Sequence, residues 1–207
     1  MPWVALGLCV SGVVLGFGAR MVIQRHLTGD SGMRLTAEPV GPLDQWAKRL
    51  FFTAYIGSFA GPVAQLLGLD PLAVLDRPAV RGAGVVLGVV GILAALGSQL
   101  AMGSSWRVGV DPDEHTDLVT GGPFALVRNP IFTAMITTGA GMVLMVPNPL
   151  SIASTALLIV SIELQVRGVE EPHLLNLHGA AYRDYAARVG RFLPGLGRLR
   201  AAPLAAR

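Results

Sequence analysis

Residues 131–162 read IFTAMITTGAGMVLMVPNPLSIASTALLIVSI, a run of 32 residues without one Asp, Glu, Lys or Arg. A helix that crosses a bilayer needs about 20 predominantly apolar residues, so the run is too long for one span and too short for two full ones. It also carries its own break. Pro147 and Pro149 cannot continue a helix and restrict the residues before them, and Asn148 between them completes a turn signal. The run therefore predicts a hairpin of two short helices over 131–147 and 149–166, with arms of about 16 to 18 residues that cross with little tilt or fall just short of crossing.

Three further uncharged runs lie upstream, at 2–19, 50–69 and 82–106, and predict spans over 2–23, 49–69 and 80–102. Of the 207 residues, 52% are hydrophobic and 14% charged, with mean hydropathy +0.57. A soluble domain carries about 25% charged residues, so a water-soluble enzyme is excluded. The fold class is all-α: a polytopic membrane bundle of about five transmembrane helices with a C-terminal cytoplasmic helical segment. It divides into three N-terminal spans over 1–102 and a C-terminal region over 103–207. The first apolar run has no basic residue before it and reads as a retained span rather than a signal peptide. The single cysteine, Cys9, sits within that run and reads as a small buried side chain. A net charge of +3 comes with scattered arginines and no aromatic-basic platform, which excludes nucleic acid as a partner.

Fourteen of the 16 Lys and Arg residues flank the first connection, the third connection and the tail, against Arg77 and Arg81 in the second. By the positive-inside rule the N-terminus faces out and the C-terminus faces the cytoplasm. Gly12 and Gly16, Gly57 and Gly61, and Gly84 and Gly88 are spaced four apart, which lets helices approach closely. That packing reads as internal to the bundle, with monomer and homodimer both left open. Gln99 and Glu163, strongly polar residues within the spans, both lie near their cytoplasmic ends, so no transport pathway is indicated.

The chemistry must then sit in two cytoplasmic segments, 103–130 and 167–194, whose ends the hairpin brings together. Asn129 followed by Pro130 reads as the cap and first residue of the fourth span. Arg128, beside that helix start, is either an interfacial arginine reaching for water or a donor to an anionic group. Glu163, Arg167 and Glu170 are spaced by four and three and line one helical face, with Glu171 beside them. Glu163 and Arg167 can simply pair, yet a carboxylate below the headgroups is also a functional candidate. Beyond Pro172, residues 173–189 predict a second helix with Leu174, Leu177, Ala181, Tyr185 and Val189 on one apolar face. It either lies on the membrane or covers a site. The four histidines, with His173 and His178 five apart, are not spaced as a metal site. Trp106 and Arg107 follow the third span, where an aromatic belt or the rim of an acceptor entrance is expected.

In their order, these residues resemble the isoprenylcysteine carboxyl methyltransferase family, which also takes in the phospholipid methyltransferases and related bacterial membrane proteins. Leu118-Val119-Thr120, Gly122-Pro123-Phe124 and Arg128-Asn129-Pro130 with Phe132 look like its LVT, G-x-Y and R-H-P-x-Y elements. Asn148-Pro149 falls at its hairpin turn. Glu170-Glu171, Leu174, Gly179, Tyr182, Tyr185, Val189 and Pro194 look like its closing pattern. The resemblance covers about 103–197 and implies a methyltransferase that binds S-adenosylmethionine on the cytosolic side and takes a lipophilic acceptor from a bacterial plasma membrane. It implies catalytic roles for Arg128 and Glu170. Arg128 would hold a carboxylate as a bidentate donor, and Glu170 or Glu171 would meet the cofactor's ammonium or sugar. His115, Leu118, Val119, Gly122, Asn129, Pro130, Tyr182 and Tyr185 would complete the cofactor pocket. Trp106, Arg107, Glu163 and Arg167 would face the acceptor.

Two departures bear on the acceptor. Asn129 stands where the family has histidine, and Phe132 where it has tyrosine. A carboxylate acceptor is already ionised at neutral pH, whereas an amine must lose a proton, so the absent imidazole favours a carboxylate. A nicotinamide-dependent reductase with a similar C-terminal pocket, and a non-catalytic membrane scaffold, are the alternatives.

Overall fold

The computed structural model describes residues 1–34, 41–109 and 117–199. Within them run α1 (Pro2–Val13), α2 (Arg20–Thr28), α3 (Pro42–Leu66), α4 (Pro78–Ala101), α5 (Pro130–Met145), α6 (Pro149–Gln165) and α7 (Glu171–Arg188). Every one of these helices except α2 has proline in its first turn; in α1, α3, α4, α5 and α6 that proline's missing N–H would have had no helical partner. Two π-helical turns, Val14–Ala19 and Val166–Glu170, run α1 into α2 and α6 into α7. The described residues contain no strands, only isolated parallel bridges pairing Met33 with Val108 and Val127 with Gly190.

Among the described residues, three helical stretches are long and apolar enough to cross a membrane: Pro2–Thr28, Pro78–Ala101 and Pro149–Arg188. The fold is the expected polytopic bundle, but the expected five spans divide into these three and two lesser helices. α3 opens on Asp44, Lys48 and Arg49 and is uncharged only from Leu50 onward. α5, at 16 residues, is about 24 Å long against a hydrocarbon core of about 30 Å. Conversely, the 40-residue stretch Pro149–Arg188 measures about 60 Å. Its charges begin at Glu163, so α6 is the spanning part, and the π turn and α7 project beyond the bilayer.

The glycine pairs pack within the chain. α4 lies against α5, and α3 against α6. A Cβ on Gly141 would sit 2.5 Å from the Gly88 nitrogen and 2.7 Å from the Gly84 oxygen, so these backbones touch directly. Gly57 and Gly61 leave room in the same way for Ser154 and Ser151. At the hairpin turn Asn148 accepts the Ser151 N–H at 3.0 Å, capping α6, and donates to the Gly61 carbonyl at 3.0 Å. The Leu72 N–H reaches the Pro147 carbonyl at 2.7 Å, which places the 67–77 connection at that same end.

At the opposite end, fully buried Arg20 closes the C-terminus of α4. It donates to the carbonyls of Gln99 at 3.3 Å and Gly103 at 2.5 Å, with its guanidinium 4.7 Å from the Trp106 ring centroid. Gln24 donates to the Ser104 carbonyl at 2.8 Å. Met142, Met145, Val146 and Ala5 form an apolar core inside the helix bundle.

The direct contact of α4 and α5 makes a specific demand. Gly141→Ala should destabilise the detergent-solubilised protein by about 1–3 kcal/mol, read as a lowered Tm. Gly97→Ala, where an added Cβ meets nothing within 4 Å, should leave it unchanged. Equal melting of the two variants would mean that backbone contact does not hold this pair.

Candidate active site

Arg128 and Glu171 meet at the charged end of the bundle. One Nη of Arg128 lies 2.6 Å from the Glu171 carboxylate, and the two side chains are 1% and 8% exposed. Arg191 grips the same carboxylate with both oxygens, at 2.7 and 2.8 Å. Arg128 also donates to the carbonyls of Ala186 at 3.0 Å, Val189 at 2.6 Å and Gly197 at 3.1 Å. The first two are carbonyls at the C-terminus of α7, which have no helical partner, and the arginine caps them.

The backbone around the pair explains why it forms. The Arg128 N–H donates to the Gly190 carbonyl at 2.8 Å, and the backbone and side-chain amides of Asn129 both donate to the Arg191 carbonyl, at 3.1 and 3.2 Å. Thr133 donates to the Phe192 carbonyl at 2.9 Å. Upstream, Gly122, with φ 57°, starts a 3-10 turn over Gly122–Ala125 that carries Phe124 inward, and the Tyr185 hydroxyl donates to the Phe124 carbonyl at 2.6 Å. Tyr182, Tyr185 and Ala186 form a second core, onto which Leu118 packs. The two predicted cytoplasmic segments are therefore one folded unit.

Several expectations need correction. The Arg128 fork is spent inside the protein, and only its Nε is buried without a partner, so a bidentate grip on a ligand carboxylate is not available in this arrangement. Asn129 holds the cap position but turns its side chain to the 189–199 strap instead of the helix. There is no break at Pro172, because the π turn absorbs the lost hydrogen bond. The kink comes at Gly179, with φ 52°, and rotates the apolar face so that Tyr182 is buried and Ala181 exposed. The π turn likewise ends the single face of Glu163, Arg167 and Glu170. Glu163 and Arg167 pair on the exposed side, while Glu170 turns toward α3. Gly168 permits this, since a Cβ there would collide with Leu43 of α3.

Trp106 is 1% exposed, packed under Arg20 rather than set at an entrance. Arg107 donates to the carbonyls of Ser104 and Trp106, both at 2.8 Å. Val119 and Pro130 are half-buried and buried respectively, along the docked segment. His115 lies outside the described residues. Arg191 carried no role in the sequence reading, although it stands between Val189 and Pro194 of the closing pattern. Phe51 and Phe52 of α3, which line a pocket with Glu170, carried no role in the sequence reading either, because nothing in the first half of the chain carries a recognisable motif.

Two cavities adjoin the unit. An apolar one, open at its mouth, runs between α1, α3, α4, α5 and α6, lined by Leu8, Phe17, Tyr55, Ile92, Met135 and Leu158, with Gln99 and Ile131 toward the charged end. A smaller one lies between α3, Phe132 and Glu170.

Electrostatically the adjacent glutamates differ. Burial works to raise the Glu171 carboxyl, but the Arg191 and Arg128 guanidiniums outweigh it and hold the group below its usual value. Burial pushes Glu170 up to about 7, helped by the negative charges of Glu171 and Asp44 and opposed by a hydrogen bond from Gln165. Burial also raises the phenols of Tyr182 and Tyr185 to about 12, so both stay protonated donors.

Because the native Glu171 carboxyl is depressed, its contribution is present above its unfolded value of about 4.5 and is lost as pH falls below that. Hydrogen-exchange protection of residues 189–199 should therefore drop on acidification through that window. Glu171→Ala, which strands two guanidiniums, should cost about 3–5 kcal/mol, whereas Tyr185→Phe should cost about 1 kcal/mol. Thermal melts of the two variants check the ordering, and a Glu171→Ala protein as stable as the parent would refute it.

Residues 80–181 match the model of the phospholipid methyltransferase family. Among solved structures, the eukaryotic intramembrane Ras methyltransferase, an isoprenylcysteine carboxyl methyltransferase, superposes with a TM-score of 0.52 at 19% identity, over 89% of this chain and 75% of that one. At that identity the likeness is one of fold. No curated protein matches the chain. The matched region takes in the whole hairpin, Arg128 and both glutamates, so this stretch of the chain is similar to the phospholipid methyltransferases, and the fold as a whole to that of the isoprenylcysteine carboxyl methyltransferase.

Proposed function

We propose that the protein transfers a methyl group from S-adenosylmethionine to a lipophilic acceptor held in the membrane. The observation that carries this reading is the docking of Arg128–Pro130 onto Glu171 and the 189–199 strap, beside an apolar cavity reaching into the helix bundle. The cofactor has a sulfonium, an ammonium and a carboxylate, and the donor set suits it. Glu170 supplies a carboxylate outside the arginine pair, and Arg128 a buried Nε–H without a partner.

When bound, S-adenosylmethionine supplies an electrophilic methyl group for in-line displacement. Such a transfer asks the protein chiefly for orientation and exclusion of water. Tyr182, Tyr185 and the strap wall the site off from solvent, and the apolar cavity would hold the acceptor's chain. The excess of Lys and Arg at this end supports a cytoplasmic side for it by the positive-inside rule.

A carboxylate headgroup, favoured by the absent histidine, would want a cation. Arg128, Arg191 and Lys48 are each already matched to a carboxylate, so the geometry adds no support for that acceptor class.

Calorimetry of the purified protein with S-adenosylmethionine, S-adenosylhomocysteine and NADPH tests the reading. The first two should bind and NADPH should not, and Arg128→Ala should weaken cofactor binding by about 100-fold or more. Binding of NADPH alone would favour the reductase, and no binding to any of the three would favour the scaffold.

A further inference from the structure

Glu170 occupies a pocket that the Arg128–Glu171 pair does not explain. Phe51 and Phe52 from α3, Phe132 from α5, Gln165 from α6 and Glu170 from the π turn line it, and Phe52 is 45% exposed. The charges around Glu170 are Asp44 and Lys48 on α3 and Glu171 on its own helix. Lys48 sits 2.8 Å from Asp44, and Glu171 is consumed by two arginines. Glu170 has only the Gln165 amide as its described hydrogen-bond partner, and an amide does not answer a charge.

A carboxylate that shares a pocket with three phenyl rings, and with a lysine already matched to Asp44, selects among cations. A small hydrated ion would lose its water to rings that cannot replace it. A cation whose charge is dressed in alkyl groups loses little, packs those groups against the rings and keeps its charge at the carboxylate. The absence of a hydroxyl from Phe132, where the family has tyrosine, keeps that wall apolar. A sulfonium and a substituted ammonium share this chemistry, one arriving with the methyl donor and the other with an acceptor.

We propose that this pocket is a subsite for an alkyl-substituted cation, with Glu170 as its counter-charge and Phe51, Phe52 and Phe132 as its walls, so that α3 belongs to the active site. The proposal rests on the methyltransferase reading of the neighbouring unit. The elevated Glu170 carboxyl agrees with it: half-protonated near neutrality, the group becomes a better counter-charge as pH rises through about 7, and cation binding should tighten between pH 6 and 8.

Calorimetry in dodecyl maltoside micelles separates the sources. If the cation is the sulfonium, the parent protein binds S-adenosylmethionine about tenfold tighter than the uncharged S-adenosylhomocysteine at pH 8. Glu170→Gln then brings that ratio to about one, with homocysteine-product affinity little changed. If it is the acceptor's ammonium, the ratio stays and the affinity for hexyltrimethylammonium falls about tenfold instead, while hexanoate binds neither protein. In either case Phe51→Leu should weaken the same ligand, and the pH dependence should vanish in Glu170→Gln. Cation affinities that are unaltered by both substitutions would overturn the subsite. A parent protein that binds neither nucleoside but loses hexyltrimethylammonium on Glu170→Gln would sink the methyltransferase reading and leave the subsite standing.

Discussion

A carboxylate at the edge of a bilayer must be answered by a cation, and Glu171 is answered twice. Arg128 reaches it from the start of α5 and Arg191 from the strap beyond α7, so one buried group ties together three parts of the chain far apart in sequence. An ion pair of this kind adds little net stability over a well-packed apolar contact, since desolvation offsets most of the attraction. What it does is forbid alternatives. Any other docking of α7 would leave a guanidinium or a carboxylate buried alone, at several kcal/mol, so the pair fixes which residues of the two segments face each other. The triad carries one surplus positive charge, and that charge is spent on the carbonyls ending α7. Arg20 closes α4 by the same device with Trp106 in place of a carboxylate, and the charged end of the bundle is thus built on two arginines, each sealing a helix terminus.

Glu170 and Glu171 are neighbours in sequence yet belong to different environments, and the π turn is the reason. One extra residue per turn shifts the phase of everything after it, so that the face defined by Glu163 and Arg167 does not continue. Gly168 lets α3 press against the turn, Glu170 is directed to α3, and Glu171 is left to the arginines. Had the helix stayed regular, Glu170 would have followed Arg167 to the exposed side.

The hairpin, the helical class and the meeting of the two charged segments could be read from the sequence, because each rests on a strong local signal. Pro147-Asn148-Pro149 can only be a turn, and uncharged runs of that length can only be lipid-facing or buried. The π turns and the Gly179 kink were not legible: both are set by what the helix packs against, and Pro172 looked like the better place for a break. For Arg128 the sequence leaves an interfacial arginine and a donor to an anionic group both open, and it does not name the partners the structure gives it. A guanidinium that could grip a ligand and one that caps its own protein have the same sequence signature. Only the carbonyls of Ala186, Val189 and Gly197, none of which a motif can encode, distinguish them.

The contribution of the motif-poor first half follows from the same physics. A methyl donor that is charged and an acceptor that is apolar have opposite solvent preferences, so their meeting place must lie where a polar end and a greasy interior share a wall. The C-terminal unit supplies the polar end but has too few helices to enclose a volume in the membrane. α1, α3 and α4 close the larger cavity against α5 and α6, and α3 also carries the Lys48–Asp44 pair and phenyl groups that share the smaller pocket with Glu170. Such walls need only be apolar and of the right bulk, a requirement many sequences satisfy, whereas the arginine pair tolerates few substitutions. A region can therefore shape which molecule enters while showing no pattern of its own, and the residues on α3 are where selectivity in this chain is to be sought.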